Sequence, residues 1–204
     1  MITKVCGMRE AQNIREVEAL GIDLMGFIFY PPSSRFVTEV PEYLPARAKR
    51  VGVFVDADLS FISQRVAEFG LDFVQLHGRE TPEFCQQVKA AHPGLGLIKV
   101  FSIQSAESLE GTRQYEDVAD YFLFDTFCKE KGGSGRTFDH EILGQYAGRT
   151  PFLLSGGLSP DNAAEIMRLR HPQLAGYDLN SKFEDAPALK NTLKIKQFLD
   201  NITD

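Results

Sequence analysis

The sequence has no uninterrupted apolar run of about eighteen residues, the length that a helix needs to cross a membrane. Its first ten residues, MITKVCGMRE, contain neither the apolar stretch nor the small-residue cleavage site of a secretory signal. We therefore expect no membrane span and a cytoplasmic location.

Cysteine and histidine are scarce. The three cysteines, Cys6, Cys85 and Cys128, lie far apart and are odd in number, which fits neither a disulfide framework nor a C-x-x-C pair. No two of the four histidines have the spacing of a metal site. The sequence therefore indicates a reducing compartment and argues against a zinc enzyme.

Basic residues are fewer than acidic residues. Lys and Arg number 22 against 28 Asp and Glu, which gives a formal net charge of −6. The basic residues form no stripe that could follow a phosphate backbone. We expect no nucleic-acid partner.

What the sequence does contain is an alternation of short apolar runs with longer segments whose apolar residues recur every three or four positions. The alternation occurs eight times. The predicted strands are residues 2–6, 23–29, 51–55, 73–76, 97–101, 121–124, 152–154 and 176–179. Strands that are apolar throughout are typical of a parallel sheet covered by helices.

Chain length favours one closed barrel. Eight strand-and-helix units in 204 residues leave about 25 residues for each unit, close to the smallest (β/α)8 barrel. The competing open, doubly wound sheet would carry G-x-G-x-x-G after the first strand, whereas the chain reads CGMRE from Cys6. We predict an α/β fold, a single (β/α)8 TIM barrel with a closed parallel sheet, as one domain over residues 1–204.

The helical segments differ in regularity. Thr81-Pro82 and Ser159-Pro160 each place a hydroxyl at the cap and a proline at the first helical position. Pro41 and Pro45 interrupt the second helical segment, and residues 105–115 are polar with little apolar periodicity. We expect these two segments to form distorted or shortened helices.

Reactive groups of such a barrel lie where its strands end, at the carboxyl side. Cys6 ends the first strand, and is either a small buried apolar residue or a base or nucleophile whose thiol pKa is lowered by a nearby cation. Asp125 follows the apolar run 121–124. It is either a cap or surface ion pair, or a partly desolvated carboxyl whose raised pKa suits proton donation.

Two neighbouring loops have the composition of an anion site. Gly156 and Gly157 follow the seventh strand, and Asn180 and Ser181 follow the eighth, with a helix expected to begin near Asp185. Small residues and helix starts offer backbone N–H groups, and barrels often bind phosphate at these two strands. The alternative is that these residues only make tight turns.

Three further polar residues lie near predicted strand ends. Arg35 is a cation in a stiff, proline-containing loop, and its planar fork suits a carboxylate ligand, although a surface arginine is the default. Gln75 and His77 could position a substrate or only bond to backbone. The glycine-rich segment 131–137 could close over a ligand or serve as a plain linker.

Taken in order, these segments resemble the phosphoribosylanthranilate isomerases, the (β/α)8 enzymes of tryptophan biosynthesis, over nearly the whole chain. The matching motifs are KVCG (4–7), GFIF (26–29), SSRF (33–36), VGVFV (51–55), VQLHG (74–78), LFDT (123–126), GGSG (132–135), SGGL (155–158) and DLNS (178–181).

The resemblance implies an Amadori rearrangement of N-(5'-phosphoribosyl)anthranilate without any cofactor, in either a monomer or a homodimer. It makes Cys6 the general base and Asp125 the general acid. It also assigns Arg35 to the anthranilate carboxylate. Four residues are assigned to the substrate phosphate: Gly156, Gly157, Asn180 and Ser181. The expected partner is therefore a small phosphosugar.

The sequence departs from the family pattern at two positions. Lys182 stands where the family often has glycine, and His140 stands where tryptophan is common. These differences concern the phosphate loop and loop packing, because neither residue is the proposed acid or base.

Two other functions remain open on the sequence. A non-catalytic barrel that binds a phosphosugar would keep the glycines and Arg35 but would not need Cys6 or Asp125. An indole-forming barrel enzyme would need a lysine at a strand end with neighbouring glutamates, for which Lys99 is the candidate.

Overall fold

Eight parallel strands close into a barrel in which each strand pairs with the next and the last pairs with the first, as predicted. A computed structural model describes residues 1–126 and 142–203. The barrel strands are β1 Ile2–Cys6, β2 Leu24–Ile28, β3 Lys49–Phe54, β4 Phe73–Leu76, β5 Gly96–Ser102, β6 Tyr121–Asp125, β7 Phe152–Ser155 and β8 Leu174–Leu179.

Side chains of each strand alternate between the barrel interior and the surrounding helices. Leu24, Val51 and Leu123 belong to the small apolar cluster inside the barrel. Phe27 and Phe122 belong to the larger core between barrel and helices. Burial of a side chain of this size contributes about 1.5–3 kcal/mol, and both faces are apolar, which explains why the strands lack polar alternation.

The helices occupy the outside of the barrel. They are α1 Ala11–Glu18, α2 Leu59–Phe69, α3 Pro82–Ala91, α4 Ala163–Ile166 and α5 Thr192–Thr203, with 3₁₀ helices at Ala106–Tyr115, Leu143–Gln145, Pro160–Asn162 and Ser181–Phe183. Thr81 caps α3 as predicted, since its hydroxyl accepts from the amide of Phe84 at 3.3 Å. No helix in the described ranges has the length and hydropathy that crossing a bilayer requires.

The two irregular segments differ in outcome. Residues 105–115 form mostly 3₁₀ helix, whereas the described segment between β2 and β3 contains no helix. A buried carboxylate anchors that segment instead: Glu18 accepts from the amides of Arg47 at 2.7 Å and Ala48 at 3.1 Å, and from the Tyr43 hydroxyl.

The prediction that a helix begins near Asp185 is wrong. A β-hairpin of β9 Glu184–Ala186 and β10 Leu189–Lys190 follows β8, and α5 begins only at Thr192. Ala188 makes the turn at a φ of 69°, and a buried ion pair of 2.6 Å joins Glu184 to Lys190 across the two strands. This segment is therefore a hairpin with a buried ion pair across it, and not the start of a helix.

Candidate active site

Cys6 lies at the carboxyl end of β1 with its side chain on the interior face. Val5, its neighbour, packs into the helix-facing core, so alternation turns Lys4 and Cys6 the other way. Gly26 of β2 pairs with Cys6, and a Cβ there would lie 2.7 Å from its sulfur. The thiol is 3% exposed, at the end of the barrel where the reactive loops gather.

A buried ion pair lies on the same interior face. Lys4 Nζ donates to Asp178 Oδ1 at 2.9 Å, and neither residue is more than 5% exposed. Burial works to lower the pKa of Lys4, but the negative charges of Asp178 and Cys6 outweigh it and raise that pKa overall. Lys4 therefore carries its positive charge inside the barrel.

The sequence placed Asp178 at a strand end near the site but gave it no role, and it did not single out Lys4. The signal for Lys4 was a charged residue within a predicted buried strand, two residues before Cys6 and so on the same face. Asp178 joins it only because β8 pairs with β1, which aligns these two residues directly.

Some charges near the Cys6 thiol favour its ionisation and others oppose it. Burial raises the pKa of Cys6, Lys4 lowers it, Asp178 raises it and Lys190 lowers it, and the net direction is upward. The cation expected near Cys6 is present, but desolvation of the thiol outweighs its effect. The resting form at neutral pH is therefore the thiol.

Asp125 ends β6 and faces His77 of the loop after β4. His77 Nε2 lies 3.9 Å from Asp125 Oδ2, and both side chains are partly exposed. Burial raises the pKa of Asp125, while the charge on His77 opposes that shift. Burial also lowers the pKa of His77. The carboxyl thus holds its proton to higher pH than an ordinary aspartate does.

Gly156 lies against the Asp125 carboxyl. Its φ is +88°, and a Cβ there would lie 2.7 Å from both Asp125 Oδ1 and the amide nitrogen of Thr126. Gly157 also has a positive φ, +66°, but a Cβ there would enter open space. The absence of a side chain at Gly156 therefore lets the backbone pass close to the Asp125 carboxyl, whereas Gly157 borders open space.

The turns after β7 and β8 are neighbours because these two strands pair. Among the described residues, the amides of Gly157 and Ser181 donate to no protein group. Asn180 is already engaged, since its Oδ1 accepts from Lys190 Nζ at 2.8 Å. Available anion donors therefore come from a glycine turn and a short 3₁₀ helix, not from a helix near Asp185.

Arg35 extends from the loop after β2 across the rim. It passes so close to Gly7, whose φ is +79°, that a Cβ there would lie 2.6 Å from Arg35 Cδ. Both sides of its guanidinium donate to Glu184, with Nε to Oε2 at 3.1 Å. Burial opposes ionisation of Glu184, but hydrogen bonds from Arg35 and Lys190 lower its pKa overall. Arg35 thus already holds a carboxylate in fork geometry.

Gln75 lies within β4, two residues before His77, and is 2% exposed. Its Oε1 is buried and has no hydrogen-bond partner within the described residues. Alternation places Gln75 on the face of Phe73, which packs with the interior cluster. Its side chain is therefore enclosed inside the barrel.

Lys99 does not face the barrel interior. Its Nζ donates to Glu80 at 3.0 Å and to the carbonyl of Gly78 at 2.8 Å. Glu80 in turn accepts from the amides of Gly78 and Asp56. This buried pair fixes the loop that carries His77, and the interior lysine required by an indole-forming enzyme is not supplied by Lys99.

The glycine-rich segment 131–137, Cys128 and His140 lie outside the described residues. Within the described residues, no group of three or more His, Cys, Asp or Glu side chains is arranged to hold a metal ion.

Comparisons with known proteins agree on one family. The family model described as N-(5'phosphoribosyl)anthranilate (PRA) isomerase matches residues 3–201. The N-(5'-phosphoribosyl)anthranilate isomerase of Phocaeicola vulgatus is 54% identical over 202 residues, which cover 99% of this chain and 98% of that protein. The one from Parabacteroides distasonis is 51% identical over 208 residues, covering 99% and 93%.

Among solved structures, a phosphoribosyl anthranilate isomerase in complex with reduced 1-(o-carboxyphenylamino)-1-deoxyribulose 5-phosphate is similar at a TM-score of 0.83 and 28% identity. The similarity covers 100% of this chain and 99% of that chain.

Proposed function

The chain belongs to the family of N-(5'-phosphoribosyl)anthranilate isomerases of tryptophan biosynthesis, and from this premise we propose that Asp125 and Cys6 are its acid and base. The observation that carries the proposal is their placement. Both lie at the carboxyl ends of barrel strands, on β6 and β1. Burial raises the pKa of Asp125, as suits an acid, and the charge of Lys4 works against the same effect of burial on Cys6. A substrate at the rim would lie between them.

Ring opening is the first step. The bond between C1' and the ring oxygen breaks, and its electron pair goes to the oxygen, which takes a proton from Asp125. The nitrogen lone pair forms an iminium at C1'. A raised pKa supports this role, because a general acid must hold its proton near the working pH.

Proton abstraction is the second step. The Cys6 thiolate removes the proton at C2', and the electrons of that C–H bond form the C1'=C2' bond while the iminium nitrogen recovers its lone pair. The resulting enolamine becomes the ketone when C1' gains a proton and the C2' hydroxyl loses one. The sulfur needs to be ionised at the start of this step.

The two anionic groups of the substrate are proposed to bind two sets of hydrogen-bond donors at the barrel rim. The free amides of Gly157 and Ser181, with Gly156 and Asn180 shaping the turns, would hold the phosphate. Arg35 would hold the anthranilate carboxylate, exchanging at least one of its bonds to Glu184 for the ligand. The ligand named with the similar solved structure carries both of these groups.

Steady-state turnover tests the proposal. Purified protein incubated with N-(5'-phosphoribosyl)anthranilate should change the anthranilate fluorescence, and Cys6→Ala and Asp125→Asn should each lower kcat at least about a hundredfold. Turnover close to wild type in either variant would refute the role of that residue. Binding of the substrate without any turnover in the wild type would instead support a non-catalytic phosphosugar-binding barrel.

A further inference from the structure

Lys4 and Asp178 take no part in the acid and base steps, although they lie beside the proposed base. We propose that Lys4 is a positioning residue whose ammonium group holds the Cys6 thiolate, while Asp178 moderates how strongly it does so. The inference rests on the proposed role of Cys6 as base.

Strand geometry places the ammonium next to the sulfur. Lys4 and Cys6 are two residues apart on β1 and therefore share the interior face. Lys4 is fully buried, so its positive charge cannot be shielded by solvent. Among the described residues, its Nζ donates to Asp178 at 2.9 Å, and its charge also acts on Cys6, whose side chain lies on the same face of β1.

Charges on the surrounding elements leave Lys4 as the main cation for the sulfur. The β2 neighbour of Cys6 is Gly26, which has no charge. From β10, Lys190 acts more weakly on the thiol and is paired with Glu184 at 2.6 Å. Across the barrel, Asp125 and His77 face each other at 3.9 Å. Arg35 lies over Gly7 and is paired with Glu184.

Ionisation of the base gives Lys4 its function. When the thiol loses its proton to solvent, the S–H bond breaks and the electron pair stays on the sulfur as a negative charge. Burial disfavours that charge, and the adjacent ammonium offsets the cost. After the thiolate takes the C2' proton it is neutral again. The ammonium therefore stabilises the form of Cys6 that reacts.

Replacement of Lys4 and replacement of Asp178 should change the thiolate fraction of Cys6 in opposite directions. Lys4→Met removes the cation and should lower the fraction of Cys6 present as thiolate at pH 8 by about tenfold or more, since an opposite charge nearby moves a pKa by about 1–3 units. Asp178→Asn releases the ammonium toward the sulfur and should increase that fraction. A pair that served only to stabilise the fold would not produce shifts of opposite sign.

Titration of the thiolate absorbance measures this directly. The signal of Cys6 is the spectrum of each protein minus that of the same protein carrying Cys6→Ser. Lys99→Met is the matched control, because the pair of Lys99 with Glu80 is as buried, with 3.0 Å between the charges, but faces away from the interior. The control should leave the pKa of Cys6 unchanged.

Unchanged titration in Lys4→Met, or shifts of the same sign in both variants, would overturn the inference. If Lys4→Met fails to fold, Asp178→Asn and the neutral double variant Lys4→Met/Asp178→Asn supply the test, with the double variant expected to titrate above the wild type. These measurements need no turnover. If Lys4→Met leaves the titration of Cys6 unchanged while Cys6→Ala is inactive, only this inference is refuted. If Cys6→Ala is active, the proposed role of Cys6 as base is refuted.

Discussion

Replacement of Gly156 by alanine should damage catalysis far more than the same change at Gly157. Both glycines have positive φ, so each alanine costs about 1–2 kcal/mol of folding free energy from backbone strain. Only at position 156 does the new Cβ collide, at 2.7 Å, with Asp125 Oδ1 and with the amide of Thr126. The carboxyl must therefore move.

Displacement of a catalytic group by about 1 Å can cost about a hundredfold in rate. We expect Gly156→Ala to lower kcat by that order. Gly157→Ala places its methyl group in open space near the proposed phosphate donors, so it should raise KM and leave kcat within a few-fold. Urea unfolding should show a larger stability loss for Gly156→Ala, because its collision adds about 1–3 kcal/mol to the strain that the two variants share.

Steady-state kinetics separates the collision with Asp125 from the backbone strain that the two variants share. The measurements use protein shown to be folded at the assay temperature. Equal losses of kcat would show that backbone strain alone is responsible. A wild-type kcat in Gly156→Ala would refute the idea that this glycine sets the position of the acid.

Three other variants test the charges around the rim and the barrel. Glu184→Gln should cost about 3 kcal/mol in urea unfolding at pH 7, because Lys190 is left buried without its counter-ion. The pKa of Glu184 is lowered in the fold, so its contribution is present above pH 4.5 and is lost as the pH falls through the folded value, and the variant should lack this acid-dependent loss. Asp125→Asn should stabilise the protein by about 0.5–1 kcal/mol at pH 7 while abolishing turnover. Because the folded pKa of Asp125 is raised above 3.8, this gain should shrink as the pH falls through the folded value and should be gone below 3.8, and a gain independent of pH would contradict the cause given. Glu18→Gln should cost about 1–3 kcal/mol with kcat unchanged, and an altered kcat would show that the segment after β2 influences the rim.

The strands could be predicted from the sequence because parallel strands buried on both faces are continuously apolar. Residues 2–6 and 73–76 match β1 and β4 residue for residue, and the other predictions differ only at their ends. Cys6 and Asp125 could be selected because they are reactive residues at the ends of such strands.

The environment of these residues could not be predicted in the same way. Lys4 meets Asp178 only through closure of the barrel between β1 and β8, a contact between residues far apart in the chain. The hairpin of β9 and β10 carries a buried ion pair between Glu184 and Lys190, which local propensity does not indicate. The same closure supplies the burial that raises the pKa of Cys6, and it brings Asp178 to Lys4, the cation on β1 that opposes that rise.

A crystal structure with the reduced product analogue bound tests the central assignment most directly. The account predicts the phosphate on the amides of Gly157 and Ser181, Cys6 Sγ within about 3.5 Å of C2', and an Asp125 oxygen within about 3.2 Å of the former ring oxygen. A ligand bound at the rim with protein atoms between its C2' and the Cys6 sulfur would contradict it.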